Sequence, residues 1–143
     1  MQPGSRLDLV ASLAGITSNY AYTAYGASKF GVIGLATTLR LEYKPLGINI
    51  SCICPPEVNT PMVFAERKDA NPVAMDLKKL AGSLEADPAC DKIVAGLDAG
   101  HWQIIPGLNG KMTAWACRYL PAVCYFGMLQ LIKRSMRKHG VLK

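Results

Sequence analysis

Two short apolar runs joined by a long stretch of helical periodicity constrain this chain more than any other feature. The run Leu7 to Leu13 is almost continuously apolar and ends in an Ala14-Gly15 turn. A strand buried on both faces reads this way, because neither side alternates with water. From about Tyr22 to Tyr43, Phe30, Val32, Ile33, Leu35, Ala36, Leu39 and Leu41 recur at helical spacing, and Lys44-Pro45 followed by Gly47 stops the helix. GINISCICPP then reads as a second buried strand, rich in β-branched residues and closed by a double proline that cannot continue a ladder. Strand, crossover helix and strand of this length form a βαβ unit, hence a parallel sheet with a right-handed connection.

The remainder is less regular. Residues 62 to 86 are polar, mixed and weakly helical, the pattern of a mobile lid or loop. Asp87 as N-cap and Pro88 at the first helical position open a further helix, which ends near Gly100. WQIIPG then makes a third short strand.

With 143 residues, half of them apolar, the chain is long enough for one domain with a real core. Its five cysteines have no C-x-x-C spacing, so neither a disulfide framework nor a zinc site is indicated, and a reducing compartment is expected. Cys52 and Cys54, two apart in a strand, point to one face and are expected to be buried packing. His101 and His139 are too few for a histidine-based metal site, so no metal is expected. The six residues MQPGSR before the first strand do not read as a signal peptide, which argues against secretion. Residues 1 to 110 hold nine Lys/Arg against ten Asp/Glu, while 111 to 143 hold seven Lys/Arg and no acid. A basic tail that follows an apolar, aromatic stretch favours an anionic membrane surface over nucleic acid.

One pair of residues brings chemistry to this frame. Four apart on a helix, Tyr25 and Lys29 of YGASK place a phenol and an ammonium on the same face. A free tyrosine stays protonated to about pH 10, and a neighbouring cation favours the phenolate that proton transfer near neutrality requires. Such a pair is common by itself. Three further features lift it: Ser12 lies thirteen residues before Tyr25, the Ala14-Gly15 turn follows that serine, and PPEVNTP follows the next strand.

The combination resembles the short-chain dehydrogenase/reductase family, closely over residues 7 to about 61 and in outline beyond. The resemblance implies an α/β fold, the C-terminal part of a Rossmann-like doubly wound parallel sheet, and an NAD(P)(H)-dependent oxidoreductase acting on a ketone or secondary alcohol. It implies that Ser12 hydrogen-bonds the substrate oxygen, that Tyr25 is acid or base on it, and that Lys29 supports Tyr25 and binds the nicotinamide ribose. Pro55, Val58 and Thr60 are placed beside the nicotinamide of NADP or NAD, with NADP favoured by the resemblance alone. Ser28 is expected to serve close helix packing.

The departures matter as much. No G-x-x-x-G-x-G turn occurs among the 143 residues, and Gly26, Gly31 and Gly34 are scattered along a helix. The reading is therefore of residues 1 to 110 as the C-terminal half of the domain, with the cofactor-binding half absent, and of a chain inactive by itself. Pro56 replaces the usual glycine of the Pro-Gly segment, which stiffens that loop and removes a backbone donor.

Within the family, Pro-Pro-Glu before Thr-Pro, the E-Y-K-P after the helix and the apolar, basic extension resemble the 3-ketodihydrosphingosine reductase branch. That implies a long-chain 3-keto amine as substrate, with Glu57 either a partner for its ammonium or hydroxyl or a solvated loop acid. A retinol- or hydroxysteroid-type dehydrogenase, and an inactive fragment or non-catalytic interaction module, are the alternatives. Residues 111 to 143 are expected to form an apolar helical tail lying in the membrane interface. Trp115, Tyr119, Tyr125 and Phe126 would sit at headgroup level, with Lys133, Arg134, Arg137 and Lys138 facing anionic lipid. The uninterrupted apolar core, Tyr119 to Ile132, is short of the roughly 20 residues a spanning helix needs. A cytoplasmic location, or the cytoplasmic side of a membrane, and a homo-oligomer when complete are expected.

Overall fold

In the computed structural model, which describes residues 1–142, the two apolar runs become neighbouring strands. β1 (Arg6–Val10) lies parallel to β2 (Asn49–Ile53), with Arg6 opposite Asn49 and Val10 opposite Ile53. Beyond β1 the chain stays tied to the same neighbour, since Ala11 N donates to Ile53 O at 2.8 Å and Leu13 N to Pro55 O at 2.8 Å. Ser12 lies between those two ties. The connection consists of the single turn α1 (Ala14–Thr17) and the long helix α2 (Thr23–Tyr43), followed by a 3-10 turn. Gly47 closes that turn at φ +74°, a left-handed conformation that glycine adopts without steric cost.

After β2 come β3 (Val58–Asn59), α3 (Pro61–Glu66), α4 (Pro72–Ala81), β4 (Leu84–Glu85), α5 (Ala86–Asp98) and β5 (Gln103–Ile104). The main sheet has the order β1-β2-β5, all parallel, and β3 pairs with β4 in a separate two-strand ladder. As the middle strand, β2 buries Ile50, Ser51, Cys52 and Ile53, whereas β1, expected to be buried on both faces, lies at the sheet edge with no fully buried residue and with Val10 exposed. The core joins Ala11, Ala36, Cys52 and Cys54, with Val32 and Ile33 of α2 and Trp102 packed around them. Cys52 and Cys54 share one face as expected, their sulfurs 3.7 Å apart, and the neighbouring Cys52 thiol together with burial pushes the Cys54 thiol up.

Two sequence readings need correction here. Residues 62 to 86 are not one long loop but hold most of α3, all of α4 and the short strand β4. Each helix begins with an N-cap residue followed by proline: Thr60 Oγ1 accepts from Val63 N at 3.4 Å, and Asn71 Oδ1 accepts from Val73 N at 2.9 Å. A capping acceptor with proline at the first helical position starts a helix even where the apolar periodicity is faint. The second correction concerns α5, whose N-cap is Glu85 rather than Asp87, so that Pro88 is the third helical residue. Glu85 already has extended backbone because it pairs in β4, and the helix turns directly from the ladder.

The C-terminal stretch departs from a single helix as well. It forms α6 (Leu108–Tyr119) and α7 (Pro121–Lys138), separated at Leu120. Proline disfavours helical backbone in the residue before it, and Leu120 adopts φ −128°, ψ 53°, which turns the chain. The charge boundary near Lys111 therefore falls inside α6. Near its end α7 is fastened to α4, where Asp76 accepts from Ser135 Oγ at 2.9 Å and Lys138 Nζ at 3.0 Å, and pairs with His139 Nε2 at 3.0 Å. Lys138, expected to face lipid, is thus already paired. Among the described residues no helix is long and apolar enough to cross a membrane.

Candidate functional site

The first turns of α2 carry the phenol and the ammonium. Lys29 Nζ stands 5.5 Å from the centre of the Tyr25 ring and donates to Val10 O, at the end of β1, at 3.3 Å. The lysine therefore ties the helix to the strand while keeping its charge beside the phenol. Tyr25 is half exposed, and Tyr22, one turn earlier, meets it edge-on with ring centres 6.2 Å apart. Ser28 lies exposed and donates to Tyr25 O at 2.7 Å, a bond internal to the helix. Gly15 brings the serine turn against this helix, since a Cβ there would lie 2.7 Å from the carbonyl oxygen of Lys29. Only glycine permits that approach.

Ser12 borders a cavity. Its Oγ accepts from Ala14 N at 3.2 Å and lies 3.5 Å from Pro55 O, and it lines a mainly apolar cavity of about 350 Å³. Leu13, Pro56 and Glu57 form one wall, Leu77 and Lys78 of α4 another, and Met128 of α7 reaches in. Tyr25 and Lys29 are not among the lining residues. The structure thus joins Tyr25 with Lys29, and Ser12 with Glu57, in two neighbouring groups. Of the other expected residues, Pro55 holds Leu13 N through its carbonyl, Val58 pairs opposite Leu84, and Thr60 caps α3.

Glu57 is not a solvated loop acid. Its Oε1 takes a hydrogen bond from Arg67 Nη2, and Lys78 Nζ stands 3.0 Å from its Oε2. That second contact is an ion pair without hydrogen-bond alignment, so among the described residues the buried Oε2 has no aligned donor. Burial works against ionisation of Glu57, but Arg67 and Lys78 outweigh it and hold the carboxyl below its ordinary range. Lys78 also donates to Glu66 Oε1 at 2.9 Å and sits 4.6 Å over the Tyr22 ring. Burial disfavours its charge as well, yet Tyr22, Glu66 and Glu57 together raise its pKa. Tyr22 donates to Glu66, which with Lys78 holds that carboxyl low, while burial and Glu66 raise the phenol of Tyr22.

This cluster escaped the sequence. Arg67, Glu66 and Lys78 lie in the stretch that reads as a loop, and nothing in their spacing announces that they meet Glu57 and Tyr22. The available signals were Thr60-Pro61 and Asn71-Pro72, which would have placed two helices there.

Residues 3–71 match the family described as short chain dehydrogenase. The chain is 34% identical over 110 residues to a 3-dehydrosphinganine reductase of Arabidopsis thaliana, covering 77% of this chain and 34% of that protein. It is 32% identical over 129 residues to the 3-dehydrosphinganine reductase of Danio rerio, covering 89% of this chain and 39% of that one. The chain belongs to the short-chain dehydrogenase/reductase family. It spans about a third of the length of these curated relatives. Among solved family members, a short chain dehydrogenase from Burkholderia cenocepacia superposes with a TM-score of 0.67 at 18% identity, over 90% of this chain and 49% of that one. A short-chain dehydrogenase from Sphingobium yanoikuyae gives a TM-score of 0.60 at 23% identity, over 87% and 44%. Those two likenesses establish the fold.

Proposed function

We propose that the protein carrying this chain is a nicotinamide-dependent oxidoreductase for a ketone and its secondary alcohol, with a lipid-like substrate such as a long-chain 3-ketosphinganine. The observation that carries this reading is the Tyr25–Lys29 pair, held at the end of β1 by the bond from Lys29 to Val10 O. The names of the relatives, 3-dehydrosphinganine and 3-ketodihydrosphingosine reductases, support the substrate class.

The donors present suit the nicotinamide end of NADP or NAD. An ammonium has three donors, and Lys29 commits one of them to Val10 O, leaving two for ribose hydroxyls. The Thr60 hydroxyl accepts from Val63 N and keeps its own proton to donate. Pro55 and Val58 would border the ring. When bound, the cofactor supplies or takes the hydride. Ser12 then donates to the substrate oxygen as charge develops there, and Tyr25 delivers the proton in the direction of reduction. Lys29 stabilises the resulting phenolate by its charge. Glu57, at the cavity wall, is the candidate contact for a polar group next to the ketone.

NADPH oxidation with a long-chain 3-keto amine tests this in the full protein. Tyr25→Phe is expected to lower turnover by at least about 10²-fold with cofactor affinity nearly intact, whereas Lys29→Ala damages both. Retention of most turnover by Tyr25→Phe refutes the assignment.

The reading extends to the membrane. The exposure of Trp115, Tyr119, Tyr125 and Phe126 on α6 and α7, and of Arg118, Lys133, Arg134 and Arg137 on the same helices, supports an interfacial role. Exchange of Tyr125 and Phe126 for serine is expected to reduce flotation with anionic liposomes; equal flotation of both proteins removes this part.

A further inference from the structure

The Glu57–Lys78 pair occupies a singular place. Besides the cavity of about 350 Å³ that Ser12 lines, a second one of about 240 Å³ lies beside it, and Glu57, Lys78, Gly82 and Ser83 line both. The ion pair is thus part of the partition between the two. It also joins two elements: Glu57 belongs to the segment after β2, where its carbonyl accepts from Leu84 N at 2.9 Å, while Lys78 belongs to α4.

The bonding within the cluster is uneven. Glu57 Oε1 is held by Arg67, which also donates to Asn59 Oδ1 at 3.2 Å, so this side of the carboxylate is fixed. Among the described residues the other oxygen, Oε2, has only the unaligned ammonium of Lys78. Lys78 in turn has a second anchor, an aligned bond to Glu66. It can leave Glu57 without losing every anionic partner.

We propose that Lys78 is a displaceable latch: the ammonium of a long-chain amine entering the Ser12 cavity takes its place on Glu57 Oε2, and Lys78 withdraws to Glu66, opening the partition. The exchange replaces one cation by another, so no buried carboxylate is left uncompensated, which is the large cost in breaking such pairs. The apolar walls supplied by Leu13, Leu77, Leu84 and Met128 accept the alkyl chain. This inference rests on the proposal that the cavity takes a lipid-like substrate, and it adds how the site selects charge.

Calorimetric titration of the full chain with dodecylamine and with uncharged N-dodecylacetamide, below micelle-forming concentrations and without cofactor, tests it. The amine is expected to bind about tenfold more tightly than the amide. Lys78→Met should tighten amine binding about tenfold again, by more than it alters amide binding, because the resident competitor for Glu57 is gone. Glu57→Gln should abolish the preference for charge. Glu66→Gln should weaken amine binding alone, since Lys78 then has nowhere to withdraw. Should Lys78→Met lose its helical circular dichroism, the other two variants decide. A preference that survives Glu57→Gln, or amine binding weakened by a folded Lys78→Met, overturns the latch and leaves the lipid reading standing. If neither ligand binds the unaltered chain, the lipid reading fails and the latch with it.

Discussion

In the β1–α2–β2 unit the contacts are apolar and close: Ala36, Cys52 and Cys54 are fully buried, and Gly15 lies directly against the backbone of α2. In the cover formed by α3, α4, α6 and α7, charged groups supply much of the attachment. Lys78 bridges Glu57 and Glu66, while Asp76 gathers Ser135, Lys138 and His139. Apolar burial is indifferent to pH and increases with contact area, whereas ion pairs can be exchanged for other charges. The frame that carries Tyr25 and Lys29 is thus built to stay fixed, and the cover over the Ser12 cavity is built to be re-partnered.

The contrast can be broken most directly by methyl groups. Gly15→Ala puts a Cβ into the carbonyl of Lys29, and overpacking of that kind costs about 1–3 kcal/mol. Thermal or urea unfolding should show that loss. Unchanged stability would mean that the frame yields as readily as the cover.

A smaller effect is expected from acid. The carboxyls of Glu57 and Glu66 are held below their ordinary range, and Lys138, Ser135 and His139 hold Asp76 low as well. Groups with depressed folded-state values contribute fully above the ordinary carboxylate pKa of about 4 and lose that contribution as pH falls through the depressed values. Hydrogen exchange should therefore show α4 and the end of α7 losing protection below about pH 4 before the amides of β2 do. Simultaneous loss would show that the clamps do not hold the cover separately.

The least effect belongs to Gly127→Ala in α7. Among the described residues nothing beyond its chain neighbours and its own helix backbone lies within 4 Å of the added carbon, and alanine is better than glycine inside a helix by about 0.8–1.0 kcal/mol, so a slight stabilisation is expected in the same unfolding assay. A loss comparable with that of Gly15→Ala would erase the distinction between the two regions.

Much of the frame was legible in the amino-acid order because its information is local. Continuous apolar runs determined β1 and β2, the 3.6-residue recurrence from Phe30 to Leu41 determined α2, and a spacing of four placed Tyr25 and Lys29 together. The helices α3 and α4 were harder, since their start signals lie in two caps and their apolar faces are faint. Tertiary structure alone decided the rest. Tyr22 meets Glu66 across 44 positions and Asp76 meets His139 across 63, distances in the chain over which charge carries no periodic signature. It likewise decided that Ser12 faces a cavity shared with Glu57 and Lys78, because which groups line a cavity depends on where separate elements pack, and their pairing is written in no single segment.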